Sequence, residues 1–251
     1  MRYLSIILGA LLILAVSCTP PVNLTTPVVQ YVALSGGDTL QLTWTAVTGA
    51  TGYNIYVDGT KNQVTAGSYS YNVASPTKEI QVSAYDASNN ESGMWDLKTL
   101  IVKTSSIVVY SVADAGNLNH AFYFNSSGTA IPIPLSQATD IDFVADTTSG
   151  NIELRSPDAY TVPYNSKDNA LAVATVTDFD QFKDAPAPGV YQTARALTTN
   201  GLYACWIDLT NNGWSIDDHF GKIKIENISG TAVTFTTGYQ PIGGLRWLIS
   251  Q

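Results

Sequence analysis

An all-β chain of two successive sandwiches is the fold class this sequence predicts, and three observations predict it. Apolar residues alternate with period two in short runs, each closed by Gly, Asp, Asn or Ser, the pattern of strands with one buried and one wet face. Charged residues make up only 13% of the chain, against about 25% in an ordinary globular protein. Ser, Thr, Asn and Tyr take their place, and such residues suit weakly charged sheet faces. The chain has 251 residues, 45% of them hydrophobic, more than one common sandwich consumes, so two cores are expected.

The opening segment is of another kind. Met1-Arg2 precedes an uncharged apolar run from Tyr3 to Val16, and Ala15-Val16-Ser17 leads into Cys18. A basic start, an apolar stretch of this length and a small residue before the cut predict an export signal over 1–17, too short and wrongly flanked for a spanning helix. Ala15-Val16-Ser17-Cys18 also resembles the lipobox of bacterial lipoproteins, with Ala15 where that family usually carries leucine. The resemblance implies that the Cys18 thiol receives a diacylglycerol, that the mature chain begins at Cys18, and that the protein hangs from the cell envelope by lipid. Thr19 then favours the outer membrane, because it is not the aspartate that retains many such proteins in the inner one. Residues 18–27, with Pro20, Pro21 and Pro27 and no apolar period, read as a semi-extended tether.

Residues 28–104 carry the first strand set. Leu40, Leu42 and Trp44 share one face, as do Tyr53, Ile55 and Val57, then Tyr69, Tyr71 and Val73, then Ile80, Val82 and Ala84. Asp58-Gly59 supplies the positive φ angles of a tight hairpin. Leu42-x-Trp44, Gly49-Ala50-Thr51-Gly52-Tyr53-Asn54-Ile55-Tyr56 and Val82-Ser83-Ala84-Tyr85-Asp86 with Asn90-Glu91-Ser92 resemble a fibronectin type III domain. The resemblance implies that Trp44 and Tyr53 pack between two sheets. It departs at Lys78, which stands where the family has its corner tyrosine, and no Arg-Gly-Asp occurs in the loop before the last strand.

Residues 105–251 form a larger unit with strands expected at Ile107 to Val112, Ala121 to Phe124, Asp140 to Ala145, Asn151 to Leu154, Ala170 to Val176, Leu202 to Leu209, Lys222 to Ile228 and Ala232 to Thr237. A single short helix is expected at Asp178 to Phe182, capped by Thr177 with Asp180 three residues on. The order of Asp140-Ile141-Asp142-Phe143, Ile152-Glu153-Leu154-x-Ser156-Pro157, Phe179-Asp180-x-Phe182 and Phe220-Gly221-Lys222-Ile223-Lys224-Ile225 is similar to that in C-terminal β-domains of Bacteroidetes-type surface lipoproteins, including HmuY-like haem binders. This likeness implies a surface location and a binding role.

Charge and cysteine narrow the chemistry. Twelve bases against 20 acids give −8, and loss of Arg2 with the signal leaves −9, a surface repelled by nucleic acid and by anionic headgroups. With Cys18 acylated, Cys205 has no partner for a disulfide. It lies in the alternating run Leu202-Tyr203-Ala204-Cys205-Trp206-Ile207 as a small buried hydrophobe. No nucleophile elbow, HExxH, Walker or dinucleotide signature occurs. Asp140 with Asp142 on one strand face, and Asp178 with Asp180 only if that segment is extended, offer paired carboxylates for a glycosidase alternative, against the commoner use of Asp in turns.

Asp217-Asp218-His219 is a compact candidate for a metal, with loop capping as the alternative. His120 and His219 are the histidine pair that haem ligation would use. No cofactor is expected on balance. Aromatic recognition is the stronger reading. If Tyr203, Cys205 and Ile207 face the core, Trp206 points the other way. Trp206, Trp214, Trp247 and Tyr239 then become candidates to stack on a sugar or anchor a protein partner, with Trp214 the most exposed. The expected function is a lipid-anchored, non-catalytic binding or adhesion module for glycan or protein.

Overall fold

The computed structural model describes residues 23–251, apart from 35, 149, 161–162 and 211. The segment expected to be an export signal, and Cys18, lie outside the described residues. The protein is all-β, as expected. Among the described residues seven strands form the first sandwich: β1 (Val29–Ala33), β2 (Leu40–Trp44), β3 (Gly52–Val57), β4 (Thr60–Thr65), β5 (Ser70–Val73), β6 (Glu79–Tyr85) and β7 (Trp95–Lys98). They pair antiparallel in a three-stranded sheet of order β1-β2-β5 and a four-stranded sheet of order β4-β3-β6-β7, a fibronectin type III-like arrangement. The alternating positions become its core: Leu40, Leu42, Ile55, Ile80, Val82 and Ala84 are fully buried. The Trp44 and Tyr53 rings meet between the sheets with centroids 5.3 Å apart.

Two local features follow from the sequence. Asp58 and Gly59 adopt φ of 47° and 78°, the double left-handed turn a right-twisted hairpin needs. The corner that lacks its tyrosine is held from the opposite side. The Asp58 carboxylate accepts the backbone N–H of Lys78 at 2.8 Å and of Glu79 at 3.0 Å.

Among the described residues the second unit has ten strands: β8 (Val102–Tyr110), β9 (Ala121–Phe124), β10 (Ala130–Ile133), β11 (Phe143–Thr148), β12 (Asn151–Arg155), β13 (Ala170–Val173), β14 (Ala194–Ala196), β15 (Leu202–Ile207), β16 (His219–Ser229) and β17 (Ala232–Tyr239). They form two five-stranded antiparallel sheets, β10-β9-β11-β12-β14 and β13-β15-β16-β17-β8. Phe122, Phe143 and Leu154 from the first sheet meet Cys205, Ile223, Ile225, Val233 and Phe235 from the second in one core.

Several expectations change. Residues 178–182 are a turn, not a helix. The Asp178 carboxylate takes the N–H groups of Asp180 and Gln181, both at 2.9 Å, and closes one turn without propagation. β10 and β14 escape the period-two reading because each is short, and β10 contains Pro132. Asp140 and Asp142 do not share a strand face, since β11 begins at Phe143. Asp142 is buried, paired with Lys167 Nζ at 2.7 Å and accepting the Phe124 N–H at 2.7 Å.

The outer face of β15 and β16 is also covered. Leu202, Ala204 and Phe220 pack under Phe182, Ala185 and Leu248. Residues 240–250 then continue onto the first sandwich, where Ile242, Leu245 and Trp247 join its core.

Candidate functional site

A hollow of about 400 Å³ opens at one end of the second sandwich, lined by Phe124, Asn125, Ser126, Leu209, His219, Tyr239 and Pro241. Antiparallel order brings these residues together. β9 ends at Phe124, β16 begins at His219 and β17 ends at Tyr239, so three strand termini meet at the same rim. Register sets the direction of the rings. His219 pairs with Ile207, and Tyr239 with Gly221 two residues further along β16. Both side chains therefore lie on the inward face of the sheet, at the point where the core opens to solvent.

The aromatic rings run without a break from core to mouth. Phe122 packs on Phe235 at 5.0 Å between centroids and on Phe124 at 5.8 Å. Phe124 stacks on Tyr239 at 4.9 Å and Tyr239 on His219 at 4.9 Å, with interplanar angles of 30° and 27°. The turn after β9 seats the tyrosine. Gly128 has φ of 80°, and a Cβ there would fall 2.6 Å from Tyr239 Cδ1, so only glycine satisfies both the backbone and the ring. Asn125 shapes the same turn: its Oδ1 accepts the N–H groups of Ser127 and Thr129, both at 3.0 Å.

His219 is held in a defined state. Its Nδ1 lies 3.0 Å from the Gln240 carbonyl oxygen, which requires a proton on Nδ1 and leaves Nε2 as the acceptor of a neutral ring. Burial lowers the imidazole pKa, outweighing the Gln240 contact and the nearby aspartates that raise it. The hollow thus offers aromatic walls, a fixed acceptor at His219, and the side-chain NH2 of Asn125 with the hydroxyl of Ser126. This combination suits a small polar ligand with one apolar face.

Of the residues singled out from sequence, only Tyr239 and His219 meet here. Trp206 does point away from Tyr203 and Cys205, but that face is not open. Its ring packs against Phe220 at 6.4 Å and Tyr191 at 5.8 Å, and its Nε1 donates to Asp218 at 3.0 Å. Trp214 is half-buried beside the same cluster, with its Nε1 enclosed, so it is not the exposed indole expected. Trp247 is fully buried in the first sandwich and offers no surface at all. The three indoles do not form a platform, because loops and the C-terminal segment cover the faces that alternation alone leaves bare.

The metal candidate also disperses. Asp217 is exposed, and Asp218 is buried, accepting Ser215 N at 2.7 Å as well as the Trp206 indole. His219 turns to the opposite face. Among the described residues no group of three or more His, Cys, Asp or Glu could hold a metal ion.

The histidines cannot share one iron. His120 Nδ1 contacts the Tyr110 carbonyl, Tyr110 pairs with Ala232, and His219 contacts Gln240. The two rings therefore sit at opposite ends of β17, roughly 25 Å apart at the rise of an extended strand. The signal that sequence reading missed was His219-x-Gly221-x-Ile223, whose alternation already put His219 on the core side.

Two other hollows are less suited to recognition. One of about 340 Å³ on the first sandwich is lined by turn residues such as Asp58 and Pro76 and by strand residues such as Asn62 and Asn72. One of about 690 Å³ between the units has Lys98 and Asp180 in its wall, already paired with Glu79 and with Ser250.

No family model matches the chain, and no curated protein matches it. Among solved structures it is similar to a DUF4466 family protein from Parabacteroides merdae, at 10% identity over 86% of this chain and 99% of that one, with a TM-score of 0.41. A fibronectin-type structure described as FN3tt mut is 27% identical over 29% of this chain and 90% of its own, with a TM-score of 0.25. A chitinase from Bacillus thuringiensis is 15% identical over 90% of this chain and 28% of its own, with a TM-score of 0.26. Scores at this level carry no functional argument. Among the described residues no helix is long and apolar enough to cross a membrane.

Proposed function

We propose that this chain is an envelope protein anchored through Cys18 whose second sandwich binds a sugar unit of a glycan, without catalysis, in the hollow at its mouth. The observation that carries the reading is the Phe124–Tyr239–His219 stack beside Asn125 and Ser126. Sugar rings present an apolar C–H face to aromatic rings and hydroxyls to a polar rim, so this lining matches their chemistry. The neutral imidazole serves as an acceptor for a hydroxyl. A non-catalytic role is supported by where the carboxylates are committed: Asp142 to Lys167 and the Phe124 N–H, Asp178 to a turn, and Asp218 to Trp206.

The test is a glycan array probed with the full chain, followed by titration of any hit against Tyr239→Ala and Phe124→Ala. Loss of one stacking ring should weaken binding about tenfold or more. Binding that ignores both substitutions would move the site elsewhere, and turnover of the hit glycan would restore the glycosidase alternative.

A further inference from the structure

We infer that the flank of the first sandwich where β1 meets β7 docks onto the lipid surface, so that this unit lies against the membrane instead of standing clear of it. The inference rests on the proposed anchoring through Cys18. β1 and β7 are edge strands of the two different sheets, and their side chains close that flank of the sandwich. Val28 is 72% exposed, Met94 49%, Tyr31 44% and Val32 38%, and the Tyr31 ring lies 6.1 Å from the half-buried ring of Trp95. Exposed apolar side chains along an edge strand and just before its neighbour, beside a Tyr–Trp contact, form the composition that settles at the headgroup boundary.

Charge and chain length make the membrane the occupant. No charged residue occurs from Tyr3 to Gly37 or from Ser92 to Trp95, and on β7 the exposed Asp96 is balanced by Lys98 at 3.6 Å, so an acidic protein presents a flank without net charge here and approaches anionic headgroups with little local repulsion. The chain also arrives at this flank. Leu24 is already packed in the first core, and Thr26 Oγ1 lies 2.5 Å from where a Cβ on Gly93 would be, directly before Met94. Between Cys18 and Leu24 only residues 19–23 remain, and the six steps span roughly 20–22 Å at full extension. A lipid on Cys18 therefore keeps this side of the sandwich within reach of the bilayer surface.

The test uses the full lipidated chain in vesicles of phosphatidylethanolamine and phosphatidylglycerol. A nitroxide is placed by Met94→Cys, and on the opposite edge by Thr60→Cys, with flotation recorded in parallel. Docking predicts that the protein floats, that the Met94→Cys label is reached by oxygen severalfold better than by a water-soluble nickel complex, and that the Thr60→Cys label is not. Adding Val28→Asp, an exposed position whose change leaves the core intact, should return the first label to water. Flotation with both labels equally open to nickel would overturn docking and leave anchoring in place. Failure to float would overturn the anchor and the docking together. Dipolar broadening between Met94→Cys labels would assign the flank to a second copy of the chain and overturn the lipid reading.

Discussion

The indole Nε1 of Trp247 donates to the carbonyl of Asp38 at 3.1 Å, joining the last turn of the chain to the first sandwich. The contact is not isolated. Arg246 N–H donates to the Gly37 carbonyl at 2.8 Å and Ile101 N–H to the Ile249 carbonyl at 2.9 Å, while Ile242 and Leu245 enter the same core. A segment that begins beyond β17 thus completes a hydrophobic cluster built mostly from residues before 100.

Trp247→Ala should therefore cost about 3–5 kcal/mol, the range for emptying a large buried aromatic site. Urea unfolding followed by far-ultraviolet circular dichroism measures it. A loss under about 1 kcal/mol would mean that the cluster tolerates the cavity and that the indole is peripheral.

Lys222 is buried, and its Nζ donates to the carbonyls of Phe179 at 2.5 Å, Phe182 at 3.0 Å and Leu248 at 2.7 Å. Burial pulls its pKa down to about 8. Lys222→Met keeps much of the stem but leaves those carbonyls without a donor, so a loss of about 1–3 kcal/mol is expected. Faster amide exchange around Leu248 and the 178–182 turn should accompany it; unchanged protection there would show that the ammonium is not what holds the two segments.

Glu91 sits in a hydrogen-bonded group with Ser83 at 2.7 Å, Tyr56 at 2.9 Å and Lys61 at 3.0 Å. Burial alone would raise its pKa, but the hydrogen bonds from Ser83, Lys61 and Tyr56 outweigh it and bring the carboxyl from 4.5 to about 2. The folded form then holds its proton less tightly than the unfolded form. Its stabilisation is full above the unfolded value and is lost as pH falls from about 4.5 through about 2. Glu91→Gln should flatten the acid limb of a stability–pH curve in that window, and an unaltered slope would place the acid sensitivity in other groups.

His219 should remain neutral at pH 7 with its proton on Nδ1, because burial lowers its pKa and the Gln240 carbonyl takes the N–H. Nitrogen-15 shifts of the ring report both points directly. Since the folded pKa lies below the ordinary 6.5, the folded state takes up this proton later than the unfolded one, and stability falls as pH drops below that value. Glycan binding should weaken over the same acid range as Nε2 gains a proton. A Nδ1-deprotonated ring at neutral pH would remove the acceptor from the proposed site.

Cys205 is fully buried, and desolvation pushes its thiol pKa far up. Iodoacetamide should leave it untouched in the folded protein and label it on unfolding. Rapid native labelling would show that the sandwich opens locally around β15.

What the sequence determined by itself is the all-β class and the inward face of most strands. Period-two alternation is a local property, and it fixes which side chains of Leu40-x-Leu42-x-Trp44 or Tyr203-x-Cys205-x-Ile207 point the same way before any partner strand is known. It also placed the Asp58-Gly59 turn, where a positive φ is a property of two residues. Alternation does not say what covers a face. Trp206 turned outward as expected and was then enclosed by Tyr191, Phe220 and an Asp218 carboxylate twelve residues on.

Only the tertiary structure decided the rest. The mouth of the second sandwich joins residues 124, 219 and 239 because three strand ends coincide there, and coincidence of ends depends on register among strands distant in the chain. Trp247 left the surface for a core whose buried strand residues lie more than 150 residues earlier in the chain for the same reason: long-range packing, not local pattern, assigns the last contacts of a fold.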